Sequence, residues 1–265
     1  MTWSRRPLPP YPLVPAPGHR HLTCCAGCVP GRRRPGHPRR AGAGPRRVPA
    51  PWPSWAPAEL RAAFARRGVL APWQHQAEAA TLAYEGGNVV VATGTASGKS
   101  LAYQLPALAT LLADPEPQFS TWRRPRRSPR TSYAPSPHWS WRVRPACYDG
   151  DTPRAEREWI RRHSRFVLTN PDMLHHGILP GHAQWSGFLR RLAYVVIDEC
   201  HTYRGVFGSH VAHVLRRLRR QCARFGATPV FVLASATSGD PATAAGRLTG
   251  LPVTAVTEDA SPRGG

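Results

Sequence analysis

The stretch Val89-Val90-Val91-Ala92-Thr93-Gly94-Thr95-Ala96-Ser97-Gly98-Lys99-Ser100 constrains the fold more than any other part of the chain. Three β-branched residues make a short buried strand, a Gly/Ser/Thr loop follows, and Lys-Ser opens a helix-like run over 101–112. That order suits a phosphate cradle. Loop amides and a helix N-terminus present N–H dipoles to an anion, a lysine adds a point charge, and a hydroxyl can ligate Mg²⁺. Lys99 is the only lysine in the chain, every other basic residue being arginine, which marks its ammonium as chemically required. Thr93 stands where the strict pattern G-x4-G-K-[ST] has its first glycine. A chance lysine in a Gly/Ser-rich turn is the bland alternative, and the strand–loop–helix context argues against it.

A net charge of +21 over 265 residues would suggest a nucleic-acid partner, but its distribution matters. Residues 1–56 hold ten Arg and no acid, and residues 117–148 hold seven Arg and no acid. Residues 1–54 are rich in Pro, Arg and Gly without apolar periodicity, and they are expected to be disordered. Within them lies one C-x2-C, Cys25 to Cys28, near His19 and His21. No second C-x2-C accompanies it, so no metal site is expected there. The six cysteines are irregularly spaced, against a disulfide framework. No apolar run reaches the length of a membrane span and no signal-peptide core is seen, so a cytoplasmic location and no membrane partner are expected.

From Trp55 the pattern changes. A helix ending at Gly68 is expected over 57–68, a second opening at Pro72–Gln76 and running from Ala77 to Tyr84, and the phosphate-loop strand at 88–92. Short apolar strands follow at 146–148, 165–170, 192–197, 229–234 and 253–256. Helices are expected over about 153–162, 206–224 and 241–248. Continuous apolar strands alternating with helices predict an α/β fold with a parallel sheet covered on both faces. Ligands then bind at the C-terminal strand ends. The polar clusters fall there: Thr93–Ser100, Asp149–Thr152, Thr169–Asp172, Asp198–His201 and Ser235–Thr237. Asp198 and Glu199 follow four apolar residues. In a nucleotide hydrolase one such acid holds the Mg²⁺ shell and the other acts on the attacking water.

Thr93–Ser100, Asp198-Glu199-Cys200-His201 and Ser235-Ala236-Thr237, in this order, resemble motifs I, II and III of the superfamily 2 DEAD/DEAH-box helicases. The strings Tyr148–Thr152, Thr169-Asn170-Pro171-Asp172-Met173-Leu174 and Cys200–His210 narrow the resemblance to bacterial mitomycin-repair helicases and fungal RecQ-like relatives, which are 3′-to-5′ DNA helicases. The resemblance covers about residues 55–265. It implies a RecA-like first domain over 55–257, with ATP and Mg²⁺ as cofactors and DNA, as single strand or forked duplex, as partner. It implies that Gln76 reads adenine and that Thr93, Gly94, Thr95, Ala96, Ser97, Gly98, Lys99 and Ser100 hold the phosphates. Ser100 and Asp198 would hold the metal, and Glu199 would act on the water. His201, Ser235 and Thr237 would couple hydrolysis to strand movement, and Thr169, Asn170 and Asp172 would lie beside the nucleic-acid backbone. Asn170-Pro171-Asp172 is equally an ordinary helix-initiating turn, and Gln76 could be a surface residue.

Two departures accompany the resemblance. Residues 117–145 should carry motif Ia, reading like A-P-T-K-A-L-A, but show an Arg/Pro-rich run with no core pattern. With synonymous codons chosen for Thr121 to Pro129, a shifted frame reads L-A-P-T-K-A-L-A. The TGG codons forced by Trp122, Trp139 and Trp141 each then place T in the middle of a Leu, Met or Val codon. A frameshift over this segment is therefore expected, and residues 1–50 invite the same suspicion. Second, residues 258–265 are expected to begin a linker to a second RecA-like domain absent from this chain. In helicases of this class that domain supplies an arginine finger, so this half alone is expected to bind ATP weakly without unwinding. Two other readings stay open: a stand-alone P-loop ATPase or switch without nucleic acid, and a catalytically silent basic nucleic-acid-binding fragment.

Overall fold

The computed structural model describes residues 49–94, 97–114, 118–122, 143, 145–237 and 239–261. Several expectations lie outside these residues: disorder over most of the N-terminal segment, the Cys25–Cys28 cluster, Thr95 and Ala96 of the loop, and most of the expected frameshift.

Among the described residues, seven strands form one sheet. In chain order they are β1 (Val89–Ala92), β2 (Gln118–Trp122), β3 (Pro145–Cys147), β4 (Phe166–Thr169), β5 (Leu192–Ile197), β6 (Val230–Ser235) and β7 (Thr254–Val256). Their spatial order is β3-β4-β2-β5-β6-β1-β7, and every pairing is parallel. The strands read as apolar runs because both faces are covered. In β1, Val89 and Val91 join one hydrophobic cluster while Val90 joins the other. Phe231 and Leu233 of β6 likewise face away from Val232 and Ala234, the period-two alternation of a strand.

One face is covered by α1 (Ala58–Ala65), α2 (Gln74–Tyr84) and α3 (Ser100–Ala113). The other carries α4 (Arg154–His163), α5 (Pro171–Met173) with its π-helical continuation Leu174–Ile178, α6 (Ser186–Leu189), α7 (Gly205–Arg224) and α8 (Pro241–Thr249). Val211, Leu215, Leu218 and Cys222 of α7 are buried at helical spacing, so one face of that long helix lies on the sheet. Asn88 binds three strands at the sheet's start. Its Oδ1 accepts from Phe231 N at 2.9 Å, its Nδ2 donates to Pro252 O at 3.2 Å, and its own carbonyl accepts from Thr254 N.

The expected strands and long helices are found with ends shifted by a residue or two, except that α1 ends three residues before Gly68 and α2 starts three residues earlier. The segment expected to have no core pattern behaves differently. Gln118–Trp122 is a strand in the middle of the sheet, with Thr121 paired to Leu168 on one side and Val196 on the other. Backbone pairing explains it. With β4 and β5 standing two strand-widths apart, any chain laid between them satisfies N–H and C=O groups on both sides whatever its side chains.

Candidate active site

Loops after β1, β6 and β5 open from adjacent strands. Ala92 pairs with Ser235 and Ile197 with Leu233, so the Thr93–Ser100 loop, Ser235–Thr237 and Asp198–His201 share one lip of the sheet. Thr169–Asp172 leaves the same edge from β4, beyond β2.

The phosphate loop is held from within and from behind. The Lys99 ammonium donates to the carbonyls of Thr93 at 3.1 Å and Gly94 at 2.7 Å. Thr93 and Ser97 hydroxyls are 2.6 Å apart and both residues are buried. Ser100 begins α3, where unpaired helix N–H groups converge. Gly98 takes φ +72, a conformation that strains any side chain, and a Cβ there would sit 2.5 Å from Gln76 Nε2 and displace that amide, so glycine suits this position. Gln76 is buried, against its alternative as a surface residue. Its Oε1 accepts from Trp73 N at 2.9 Å, and its Nε2 donates to the carbonyls of Ser97 and Gly98 at 3.0 Å. Beside Gln76 lies a cavity of about 600 Å³ lined by Phe64, Arg67, Trp73, Gly98, Ser100 and Gln104, among others. Its walls suit a flat heterocycle next to phosphates.

The acid pair is shaped by backbone strain. Asp198 is buried at the end of β5 and its Oδ1 accepts from Glu199 N at 3.0 Å. Glu199 has φ +54, the only positive φ at a non-glycine residue among those described. Such a conformation persists only where its surroundings impose it. Here Thr202 Oγ1 donates to the Glu199 carbonyl at 2.9 Å. His201 Nδ1 accepts from Ala236 N at 3.1 Å, which leaves Nε2 to donate toward Glu199 Oε2, 3.4 Å away. A single imidazole thus connects the acid pair to the Ser235–Thr237 loop. Ser235 Oγ donates to the Ala236 carbonyl at 2.8 Å, while Thr237 is exposed. Burial pushes the Cys200 thiol up to about 12, so it is no nucleophile at neutral pH.

Two residues at this site carry no motif and were missed from the sequence. Asp259, beyond β7, accepts from Gly94 N at 3.1 Å through Oδ2 and from Ser261 through Oδ1. Burial acts to raise its carboxyl, but the Ser261 and Gly94 hydrogen bonds outweigh that and hold it below the usual carboxylate value. His75 is buried, with Nδ1 accepting from Ala260 N at 3.3 Å and Nε2 facing the Ser97 carbonyl at 3.2 Å. Together they strap residues 259–261 to the loop. Only the second acid of the pair Glu258-Asp259, 165 positions beyond Gly94, marked this contact in the sequence.

At the other strand end, Thr169 is buried and donates to the Tyr148 carbonyl at 2.8 Å. Asn170 Oδ1 accepts from Met173 N at 2.8 Å, capping α5, so the helix-initiating role is real. Asp172 is exposed. Among the described residues no group of His, Cys, Asp and Glu is arranged to hold a metal by itself, and no helix is long and apolar enough to cross a membrane.

A phosphate loop beside an acid pair, on a parallel sheet covered on both faces, defines a P-loop nucleotide-binding domain of RecA-like build. The chain belongs to the DEAD/DEAH box helicase family, whose model matches residues 73–127 and 130–244. The break at 128–129 falls inside the segment expected to be anomalous. The chain is 39% identical over 219 residues to the uncharacterized ATP-dependent helicase YprA of Bacillus subtilis, covering 81% of this chain and 29% of that protein. It is 42% identical over 202 residues to the ATP-dependent helicase HRQ1 of Saccharomyces cerevisiae, covering 72% of this chain and 19% of that one. The crystal structure of the DUF1998 helicase MrfA bound to DNA and AMPPNP superposes with a TM-score of 0.76 at 37% identity, covering 83% of this chain and 31% of that chain. The chain thus spans between a fifth and a third of these helicases.

Proposed function

We propose that this chain is the ATP-binding, RecA-like first half of an ATP-dependent DNA helicase of the DNA-repair type. The observation that carries the reading is His201. It joins Glu199 to Ala236, and so links the acid pair to a loop on the neighbouring strand, within one residue of the hydroxyls of Ser235 and Thr237.

In this reading the base of ATP lies in the cavity beside Gln76, whose amide also fixes the Ser97 and Gly98 carbonyls. The residues fit a polyphosphate, since Gly98 gives the loop a left-handed turn that glycine takes without strain, and Lys99 supplies the cation. To reach a phosphate, Lys99 exchanges the Thr93 and Gly94 carbonyls for anionic oxygens, a trade favoured because charge-assisted hydrogen bonds to an anion are the stronger. Ser100 and Asp198 would hold Mg²⁺, which supplies neutralisation of the phosphate charge. Glu199, set by its strained backbone, orients or deprotonates the attacking water, and His201 passes the state of that site to the Ser235–Thr237 loop. Thr169, Asn170 and Asp172 lie beside the nucleic-acid backbone, as single strand or forked duplex. Residues 258–265, strapped to the phosphate loop at Asp259 and Ala260, would begin the linker to a second RecA-like domain that would supply the arginine finger. A cytoplasmic setting belongs to the same reading.

Binding of a fluorescent ATP analogue to the chain tests the nucleotide half of the proposal. Lys99→Ala is expected to weaken it roughly 10- to 100-fold, the worth of a charge-assisted hydrogen bond. DNA-stimulated ATP turnover tests the rest, measured on the chain joined to a second helicase domain. There Glu199→Gln is expected to lower turnover on the order of 10²- to 10⁴-fold with nucleotide affinity retained. Turnover indifferent to DNA would instead support a stand-alone ATPase. DNA binding without any nucleotide binding would support a silent basic fragment.

A further inference from the structure

Helix α7 contains no acidic residue and four arginines in the run Arg216-Arg217-Leu218-Arg219-Arg220. The two pairs are used differently. Arg216 Nη2 donates to the Arg247 carbonyl at 2.9 Å, and Arg219 Nη1 donates to the carbonyls of Thr249 and Gly250 at 3.1 and 2.9 Å. That pair satisfies the C-terminal end of α8, where orphan carbonyls gather. Arg217 and Arg220 make no hydrogen bond or ion pair among the described residues. They lie with His210 and His213 at i, i+3, i+7 and i+10 spacing, a single stripe along the helix.

That stripe is one wall of a groove of about 490 Å³, and the turn formed by α5 and its π-helical continuation is the other. His175 and His176, their ring centroids 4.4 Å apart, line the second wall, and Phe207, 40% exposed and tilted against the Tyr203 ring at 5.7 Å, lines the groove beside them. Asp172 is the one acid in the lining. The groove begins where β4 and β5 deliver Asp172 and the start of α7 to the sheet edge. It then runs down the flank for the 13 residues from Phe207 to Arg220, a helical length of about 20 Å.

We infer that this groove is a binding site for single-stranded DNA, extending the nucleic-acid path from the strand-end loops down the flank of α7. The inference rests on the nucleic-acid part of the proposed function and adds the residues that would continue the contact. Two arginines without carboxylate partners offer their guanidinium groups to phosphates. The Phe207 ring and four imidazoles offer π faces for bases, the combination of cationic groove and stacking platform by which single strands are held without sequence preference. An acidic peptide would use the arginines alone and leave the aromatic face without a role.

The test is fluorescence anisotropy of labelled oligo-dT with the whole chain over a range of salt concentrations, circular dichroism checking the fold of each variant. Arg217→Ala/Arg220→Ala is expected to weaken binding about tenfold or more, and to reduce the salt slope by about 1.4, two phosphates at 0.7 each. Phe207→Ala is expected to weaken binding about tenfold, with Phe207→Trp restoring it. The charge-matched Arg216→Ala/Arg219→Ala pair is expected to bind as the unaltered chain does. Wild-type affinity and slope in the Arg217/Arg220 variant would overturn the groove while leaving the wider nucleic-acid reading in place. Equal losses from both arginine pairs would do the same. Competition by poly-glutamate as strong as by oligo-dT would reassign the groove to an acidic protein partner. A wild-type chain that binds no DNA would sink the wider reading and the groove with it.

Discussion

Gly98 and His75 show how much of the nucleotide site depends on single atoms. At Gly98 the left-handed backbone strains any side chain, and a methyl group would meet the Gln76 amide at 2.5 Å and push it aside. Gly98→Ala is expected to destabilise the fold by about 1–2 kcal/mol from the backbone conformation alone. It should also loosen the Gln76 hydrogen bonds, so nucleotide affinity falls together with the melting temperature. A variant that melts as the unaltered chain does would contradict the steric argument. At His75, burial depresses the imidazole below its ordinary 6.5, with the Ser97 carbonyl and Asp259 opposing that trend less strongly. The folded state therefore keeps His75 neutral where an unfolded chain would already take a proton. Stability contributed by the neutral ring is complete above 6.5 and is lost as pH falls from 6.5 toward the depressed folded value. Thermal melts should show this loss as pH falls through and below 6.5, and His75→Gln should flatten that part of the profile. Parallel profiles for the two proteins would show that other groups carry the dependence.

Strand β2 raises a question that belongs to the element. A strand flanked by parallel neighbours on both sides normally reads as a continuous apolar run, whereas β2 reads Gln118-Phe119-Ser120-Thr121-Trp122. Beginning at the last base of the Pro117 codon, permitted synonymous codons give CCA GTT CTC TAC CTG, or P-V-L-Y-L, leading straight into A-P-T-K-A-L-A. The shifted frame thus places an apolar strand at the positions of the interior strand between β4 and β5. Sequencing of the gene is expected to find compensating indels between residue 110 and Ala146, and an intact read in the present frame would end the idea. At the next strand end, the cap on α5 gives a smaller expectation. Asn170→Ala removes the hydrogen bond to Met173 N and should cost about 1 kcal/mol, read as a lowered melting temperature.

Across the whole molecule, the sheet order separates the two proposed sites along one edge. Between β4, which carries Thr169–Asp172, and β1, which carries the phosphate loop, stand β2, β5 and β6. Changes at the two ends should therefore be independent within a single domain. Asn170→Ala is expected to leave affinity for an ATP analogue unaltered, and its effect on stability should add to that of Lys99→Ala. A strong departure from additivity would reveal coupling through His201 and its partners.

The sequence alone determined the strand–loop–helix of Val89–Ser100, the acid pair Asp198-Glu199 and the apolar strands, because a buried parallel strand and a phosphate loop each demand a short, local pattern. Tertiary structure decided what local pattern cannot hold. Sheet order brought β5 and β6 beside β1, so that His201 meets Ala236 and the loops share a lip. Folding back of residues 259–261 placed Asp259 on Gly94 and Ala260 on His75. Packing of the α8 C-terminus against α7 divided the four arginines of the run 216–220 into a helix cap and a groove wall. Each of these depends on which distant backbone atom is left without a partner, and that is fixed only when the chain has packed.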